Sequence, residues 1–258
     1  MEARIIVLCV VMSATLAVCP ASVHAQAQQW GQGIELPRAF GIGVTVYNQT
    51  QEYDIQRLEV GLPGLDPSVL SDLQVDNDTS SYHLRLDYWL LPFLNVFALG
   101  GHIDGTTTVD LAGIDIGLPV PLSNLTVEYQ GTVYGAGAVL AGGWDDWFVT
   151  VEYNYTRTHL DVATSSVKAW VAMPVIGYRV KGGAIWAGGM YQDTQEHHEG
   201  TFELPYVGEV PFDVDLTQKT SWSYLVGGTA AFSEHWLMIL QGGFGPRNLA
   251  QVTMEYRF

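Results

Sequence analysis

Two groups of polar residues have spacings that could support hydrolysis. His102 and Asp104 are two positions apart, so both side chains would project from one face of an extended strand. A histidine beside a carboxylate could orient and activate a water molecule. Asp213 and Asp215 could supply a second acidic pair for such a site. We take His102 and Asp104 as the candidate catalytic residues, although the sequence as a whole favours a protein that is not an enzyme.

The densest group of candidate metal ligands lies later in the chain and comprises Asp193, Glu196, His197, His198 and Glu199. Imidazole and carboxylate groups can bind zinc, nickel or copper. Adjacent histidines in an extended chain, however, point in opposite directions. We therefore predict a solvated polar segment here, with no metal site and no cofactor.

These residues would be positioned by β-strands, and the strand pattern is clearest in residues 248–258. Ala250, Val252, Met254, Tyr256 and Phe258 fall on one face of an extended strand. The intervening residues, which include Glu255 and Arg257, fall on the other face. An apolar face alternating with a polar one predicts a strand between lipid and an aqueous interior.

An export signal is predicted at the N-terminus. Arg4 precedes an apolar stretch, and Val23-His24-Ala25 has small side chains at the positions that signal peptidase reads. We expect a signal peptide at 1–25 and one barrel domain at 26–258. A lipoprotein signal ending at Cys19 is the alternative, although Val18 and Pro20 disfavour it.

Composition favours a closed sheet. The chain has 28 Gly, 13 Tyr and 8 Trp, and both of its 2 Cys lie within the predicted signal. Abundant aromatic residues suit the girdles at the two membrane interfaces of a barrel. No apolar run long enough for a spanning helix follows the signal.

About ten segments are long enough to span a membrane as tilted strands. They are Ala39–Gln49, Thr79–Leu91, Asn95–Gly105, Leu125–Gly142, Trp147–Leu160, Ser165–Arg179, Gly183–Gln195, Lys219–Phe232, Trp236–Phe244 and Asn248–Phe258. Tight turns at Pro92-Phe93, Asp145-Asp146, Lys181-Gly182 and 233–235 alternate with long connections at 50–78, 106–124 and 196–218. Eight or twelve strands remain alternatives.

With this strand pattern and its final Phe258, the chain resembles bacterial outer-membrane β-barrel proteins. The resemblance implies an all-β fold, a closed antiparallel transmembrane β-barrel with short periplasmic turns and long extracellular loops. It also implies outer-membrane localisation, contact with membrane lipid and lipopolysaccharide, and recognition of the C-terminal strand by the barrel-assembly machinery. Proteases of the omptin type place acid and histidine pairs at the barrel rim, a more distant resemblance for His102 and Asp104.

Alternation along each strand predicts which side chains point into the lumen. The predicted charged and titratable lumen residues are His83, Arg85, Asp87, Glu128, Glu152, Lys168, Lys219, Glu255 and Arg257. Both signs of charge would then lie within reach of one another. We expect a salt-bridged plug, with a selective ion path as the alternative.

The predicted outer loops are acidic and also rich in apolar side chains. The formal net charge is −16, so we exclude nucleic-acid binding and expect divalent cations as possible partners of the acidic loops. The apolar content predicts hairpins that pack above the membrane, with one short helix beginning at Asp66-Pro67-Ser68.

Three functions follow from these features. The first is a small channel or transport-type protein for a small solute, which would be apolar if the loop side chains line its path. The second is a non-enzymatic surface, structural or adhesin-like barrel with a plugged lumen. The third is an omptin-like surface hydrolase.

Overall fold

The computed structural model describes residues 38–61, 73–110, 125–161, 164–204 and 208–258. These residues form an all-β fold of eleven antiparallel strands. The strands are β1 (Phe40–Val60), β2 (Val75–Leu91), β3 (Leu94–Val109), β4 (Leu125–Trp144), β5 (Trp147–Leu160), β6 (Thr164–Val180), β7 (Gly183–Leu204), β8 (Gly208–Gln218), β9 (Trp222–Ala231), β10 (Trp236–Phe244) and β11 (Arg247–Arg257).

Two predicted features, the signal peptide at 1–25 and the helix start at 66–68, lie outside the described residues. Within the ranges that the structure describes, no helix has the length and apolar character needed to span a membrane.

The sheet closes on itself because the first and last strands pair. β1 and β11 are in continuous register from Gly41 opposite Arg257 to Gln51 opposite Arg247. All strands except β8 form this ring, which therefore has ten members. Closure removes the free edges that an open sheet would expose to lipid. The predicted closed antiparallel barrel is confirmed.

Beyond Arg247, which is the end of β11 farthest from the short turns, the wall narrows from ten strands to eight. We call this end of the barrel the upper end. β1 continues past Gln51 and pairs with β8 from Tyr53 to Val60. β7 pairs with β9 along Gly183–Tyr191 but with β8 from Gln195 onward. β8 thus replaces β9, β10 and β11 in the upper ring. Most of the connection predicted at 196–218 is strand, since 196–204 continue β7 and 208–218 form β8. This agrees with the hairpins expected above the membrane, and both strands belong to the wall.

A belt of exposed apolar side chains surrounds the ten-strand ring. Outward residues such as Val44, Leu84 and Leu240 are 54%, 47% and 46% exposed. Exposed aromatic side chains mark both edges of the belt. Those at the short-turn end include Phe40, Tyr88, Trp144, Trp147, Tyr178, Trp236 and Phe258, and those at the opposite edge include Tyr82, Tyr134, Tyr153, Trp170, Trp222, Tyr224 and Phe244. Such a belt with two aromatic girdles faces lipid.

The four tight turns that the sequence predicts lie at one end of the barrel and join β2 to β3, β4 to β5, β6 to β7 and β9 to β10. The connections at the other end vary in length, from Gly245-Pro246 between β10 and β11 to 61–74 between β1 and β2. Gly182 has a φ of 81° and Asp145 a φ of 51°, which suit two-residue hairpin turns. In barrels of this architecture the short turns lie on the periplasmic side. The part of β7 that pairs with β8, and β8 itself, therefore lie on the extracellular side.

Buried apolar side chains form two clusters inside the barrel. The upper cluster contains Tyr53, Val75 and Leu216, with Ile55, Val109 and Val214 packed against it. The lower cluster contains Met190, Leu225 and Leu249, with Tyr47, Val171 and Met173. The two clusters fill part of the interior on the side of β1 and β7.

Replacing Gly41 tests the packing at the β1–β11 closure. A Cβ at Gly41 would overlap the carboxylate of Asp87, which accepts a 2.9 Å hydrogen bond from Arg257. We expect Gly41→Ala to lower the free energy of unfolding by about 1–3 kcal/mol, measured by urea titration of the refolded barrel. Gly142→Ala is the matched control, because a Cβ there meets nothing within 4 Å. Equal stability of the two variants would contradict the expected overlap.

Candidate functional site

The barrel encloses a cavity of about 800 Å³. Its wall includes inward side chains from all strands from β1 to β11. A cavity of this size lies within the range of small-molecule binding sites. The interior is therefore the candidate functional site.

The upper part of the cavity is mostly apolar. Its lining there includes Ile55, Leu73, Val75, Val109, Val127, Leu160, Val167, Val214 and Leu216. Most of these residues lie in the parts of β1–β6 and β8 that are farthest from the short turns. A hydrocarbon group in this region would be removed from water on every side that the wall covers.

Paired charges form the lower lining. Arg85 donates a 3.0 Å hydrogen bond to Glu152, and its guanidinium carbon lies 3.6 Å from the centroid of the Phe97 ring. Arg257 donates to Asp87 at 2.9 Å and also contacts Glu255. Because Asp87 and Arg257 have side chains only 2% and 11% exposed, this pair is held out of bulk water. Each charge has an opposite partner, which buried ionic groups require.

The structure places six of the predicted lumen residues inside the barrel. His83, Arg85, Glu152, Glu255 and Arg257 line the cavity. Asp87 is buried beside Arg257 and accepts a 2.5 Å hydrogen bond from Asn95. Together these side chains occupy the periplasmic half of the interior.

Three predicted lumen residues lie elsewhere. Glu128 and Lys168 are exposed on the outer wall, where β4 and β6 turn Val127, Tyr129, Val167 and Ala169 inward instead. Lys219 follows β8 and donates a 2.7 Å hydrogen bond to exposed Glu52. The prediction is wrong for β4 and β6 because these strands extend above the lipid. There the outer face meets water, so the polar residues are the outward ones.

The candidate metal ligands divide between the two faces of β7. Glu196 and His198 face the cavity, whereas His197 and Glu199 lie on the outer face with Asp213 of β8. One ligand atom from each of these last three lies within 4.8 Å of the others. The five candidates thus do not form one site. The group that could hold a cation combines two of them with a residue from the neighbouring strand.

On the inner face, β6 and β7 bring a hydroxyl, an imidazole and a carboxylate together. His198 Nδ1 lies 2.8 Å from Ser165 Oγ, and its Nε2 lies 3.2 Å from Glu196 Oε2. A hydroxyl beside an imidazole is the arrangement from which a hydrolytic nucleophile is built. Sequence reasoning missed this group because the contact depends on the register that places Ser165 opposite His198. The three residues form a polar patch at the upper cavity wall.

His102 and Asp104 do not join Asp213 and Asp215. His102 Nε2 is 3.4 Å from Asp104 Oδ1, but both side chains project from the outer face of β3, with His102 against Tyr82. β8 is separated from β3 by β1 and β2. The structure therefore does not assemble the omptin-like constellation.

Acidic residues also line a groove of about 720 Å³ on the outer face above the belt. Asp78, Asp104, Glu128 and Asp161 project into it from β2, β3, β4 and the end of β5. Part of the acidity predicted for loops is thus carried by the extramembrane barrel wall. Binding of divalent cations or lipopolysaccharide there stays a prediction.

A pH-dependent contact links the two strands of the β7–β8 hairpin. The hydrogen bond with Asp215 raises the pKa of His197 above 6.5, with further contributions from Glu199 and Asp213. Because the folded-state pKa is the higher one, this contact stabilises the hairpin fully below pH 6.5, and its contribution is lost as the pH rises through the raised pKa. We expect Asp215→Asn to lower the pKa of His197, as measured by NMR titration of the imidazole.

The control for this titration is Asp104→Asn, which removes a carboxylate from the distant histidine His102. It should leave the His197 titration unchanged. A His197 pKa that is equal in the wild type and in Asp215→Asn would show that the cross-strand hydrogen bond does not form.

Comparisons with known proteins identify similar folds only at low identity. No protein-family model matches the chain, and no curated protein matches it in sequence. The translocator domain of the autotransporter NalP from Neisseria meningitidis is 10% identical over 92% of this chain and 94% of that one, with a TM-score of 0.42. The β domain of the Bordetella autotransporter BrkA is 12% identical over 85% and 100%, with a TM-score of 0.42.

A third similar structure is the Ralstonia pickettii toluene transporter TbuX, 10% identical over 93% of this chain and 94% of that one, with a TM-score of 0.34. Similarities this distant do not indicate a function. The closed ring and its apolar belt are the features on which the assignment depends, because a closed barrel is the way for strands to satisfy their backbone groups in lipid. The described residues thus form a closed transmembrane β-barrel.

Proposed function

We propose that this barrel is a transport-type protein that captures a small apolar solute in its interior. The observation that carries the proposal is the cavity of about 800 Å³ whose extracellular half is lined by aliphatic side chains. Ligand sites commonly combine apolar walls with a few polar groups that orient the ligand. Here Ser165, Glu196 and His198 supply polar groups at the upper wall.

An apolar solute suits this interior better than an inorganic ion. Apart from the patch of Ser165, Glu196 and His198, the aliphatic side chains of the upper wall offer an ion no ligands to replace its water. Farther down, Arg85 pairs with Glu152, and Arg257 contacts both Asp87 and Glu255, so neither arginine is free to bind an anion. Onward passage toward the periplasm would require the Arg85–Glu152 pair to separate.

The second candidate function is a surface or structural barrel with a plugged lumen. The same paired charges favour it, because they hold together strands that are distant in sequence, such as β2 with β5 and β2 with β11. Under this alternative the cavity would be a packing defect with no solute. Solute binding and ion conductance separate the two functions.

Filling the cavity should weaken solute binding. Ala169 lines the cavity from β6, so Ala169→Trp should lower the affinity for benzyl alcohol by about tenfold or more by occupying its space. The measurement is isothermal titration calorimetry of the protein in lipid nanodiscs, with heats from empty nanodiscs subtracted. Ala172→Trp is the matched control, because Ala172 lies on the same strand but on the other face. No saturable binding by the wild type would exclude the proposed function.

Removing the lower charge pair should open the lumen to ions. We expect the wild type to pass little current in planar bilayers and Arg85→Ser with Glu152→Ser to raise the unitary conductance, because two large side chains leave the interior. Arg38→Ser with Glu234→Ser removes an exposed ion pair of similar length, 3.1 Å, and serves as the control. Equal, measurable conductance in the wild type and the lumen variant would show that this pair is not the barrier. No conductance in either form would favour the plugged barrel.

A further inference from the structure

Arg247 occupies the point where the wall narrows from ten strands to eight. It is the first residue of β11 and lies opposite Gln51, just below the start of the β1–β8 pairing. The side chain points inward and is among the largest that are fully buried, with the residue 1% exposed. Its Nε donates a 2.7 Å hydrogen bond to Gln51 Oε1.

The remaining donors of this pair have no acceptor. Arg247 Nη1 and Nη2 and Gln51 Nε2 are all shielded from solvent and lack a hydrogen-bond partner among the described residues. Within the same part of the chain, no carboxylate lies within ion-pair distance of Arg247. Buried polar groups are nearly always hydrogen-bonded, and a buried charge without a partner is strongly unfavourable.

The other two inward arginines show that this barrel normally pairs its buried cations. Arg85 contacts Glu152, and Arg257 contacts both Asp87 and Glu255. Arg247 is more deeply buried than either of them, at 1% exposed against side-chain exposures of 24% for Arg85 and 11% for Arg257, and yet it lacks such a partner. A ligand that supplies the partner would explain the difference.

The unpaired atoms determine the chemistry of that ligand. All three are N–H donors, and one of the two groups is cationic, so the ligand needs acceptor atoms and a negative charge. A carboxylate fits best, because its two oxygens match the planar fork of a guanidinium.

The surroundings determine the rest of the ligand. Tyr47 and Tyr53 interact electrostatically with Arg247, and both line the cavity, so the guanidinium lies next to the cavity wall. Tyr53 belongs to the upper apolar cluster, and Tyr47 packs against the lower one. A molecule that reaches Arg247 from the cavity would lie beside these tyrosines and have its other atoms among apolar side chains.

We propose that Arg247 and Gln51 bind the carboxylate of an apolar carboxylic acid whose hydrocarbon part occupies the cavity. The inference rests on the proposed capture of an apolar solute and specifies the class of that solute. The acid enters as its anion, so no proton or electron is transferred on binding.

Benzoate and benzyl alcohol test this proposal, because they share a phenyl ring and differ in charge. Binding is measured by calorimetry with the full-length mature barrel in nanodiscs. We expect the wild type to bind benzoate about tenfold or more tightly than benzyl alcohol, as hydrogen bonds to a charged group allow. Arg247→Gln should abolish this preference. The affinity of this variant for benzyl alcohol shows whether its cavity is intact. Arg179→Gln, which alters an arginine at the periplasmic end of β6, should retain the preference.

The outcomes distinguish this inference from the proposed function. Binding of benzyl alcohol without a preference for benzoate, or a preference that survives in Arg247→Gln, overturns the carboxylate site and leaves apolar capture intact. Binding of neither compound overturns both. Displacement of benzoate by an equal concentration of chloride would show a site for small inorganic anions and would also overturn the inference. If Arg247→Gln does not fold, Gln51→Glu keeps the oxygen that accepts from Arg247 Nε and places a carboxylate beside the guanidinium, so it should weaken benzoate binding but not benzyl alcohol binding.

Discussion

The pairing of β1 with β11 is the constraint on which the rest of the structure depends. Lipid offers no hydrogen bonds, so each backbone N–H and C=O of a spanning strand needs a partner in the neighbouring strand. The continuous register from Gly41 to Gln51 supplies these partners where the first and last strands meet. Once the ring is closed, the two-residue period of each strand sends alternate side chains to lipid and to the interior. The belt, the charged lower lumen and the cavity all follow from that division.

The narrowing of the wall follows from unequal strand lengths. β1 and β7 extend well above the ends of β9, β10 and β11, and their upper halves would be open edges without β8. At the junction, side chains replace the ladder. Gln218 accepts a 2.7 Å hydrogen bond from the backbone N–H of Thr194 and donates at 2.8 Å to the carbonyl of Gln192. The unpaired donors of Arg247 lie at this same level, where the regular sheet pattern stops.

Alternation in the sequence was enough to predict the spanning part of the barrel. The apolar faces of β1, β2 and β11 and the four short turns could be derived because lipid, interior and periplasm impose different residue types. The same rule fails for the upper part of β4, where Thr126, Glu128 and Gln130 face water from the outside and Val127 and Tyr129 face the cavity. An apolar face means lipid in one half of the strand and interior in the other. In β8, likewise, Asp213 and Asp215 alternate with inward Val214 and Leu216, so the expected hairpin could not be recognised as part of the barrel wall.

The candidate site could be predicted less well than the fold because it depends on register. Ser165 and His198 are 33 residues apart, and the contact between them exists only because Ser165 pairs with His198 across β6 and β7. Arg247 carries no sequence signal at all, since an arginine at a strand end is ordinarily exposed. What distinguishes it is a burial that places a cation between two apolar clusters. In the proposed function, the apolar walls attract the solute, because both arginines of the lower lumen already have acidic partners. In the proposed carboxylate site, the unpaired guanidinium adds a preference for the one part of that solute that is negatively charged.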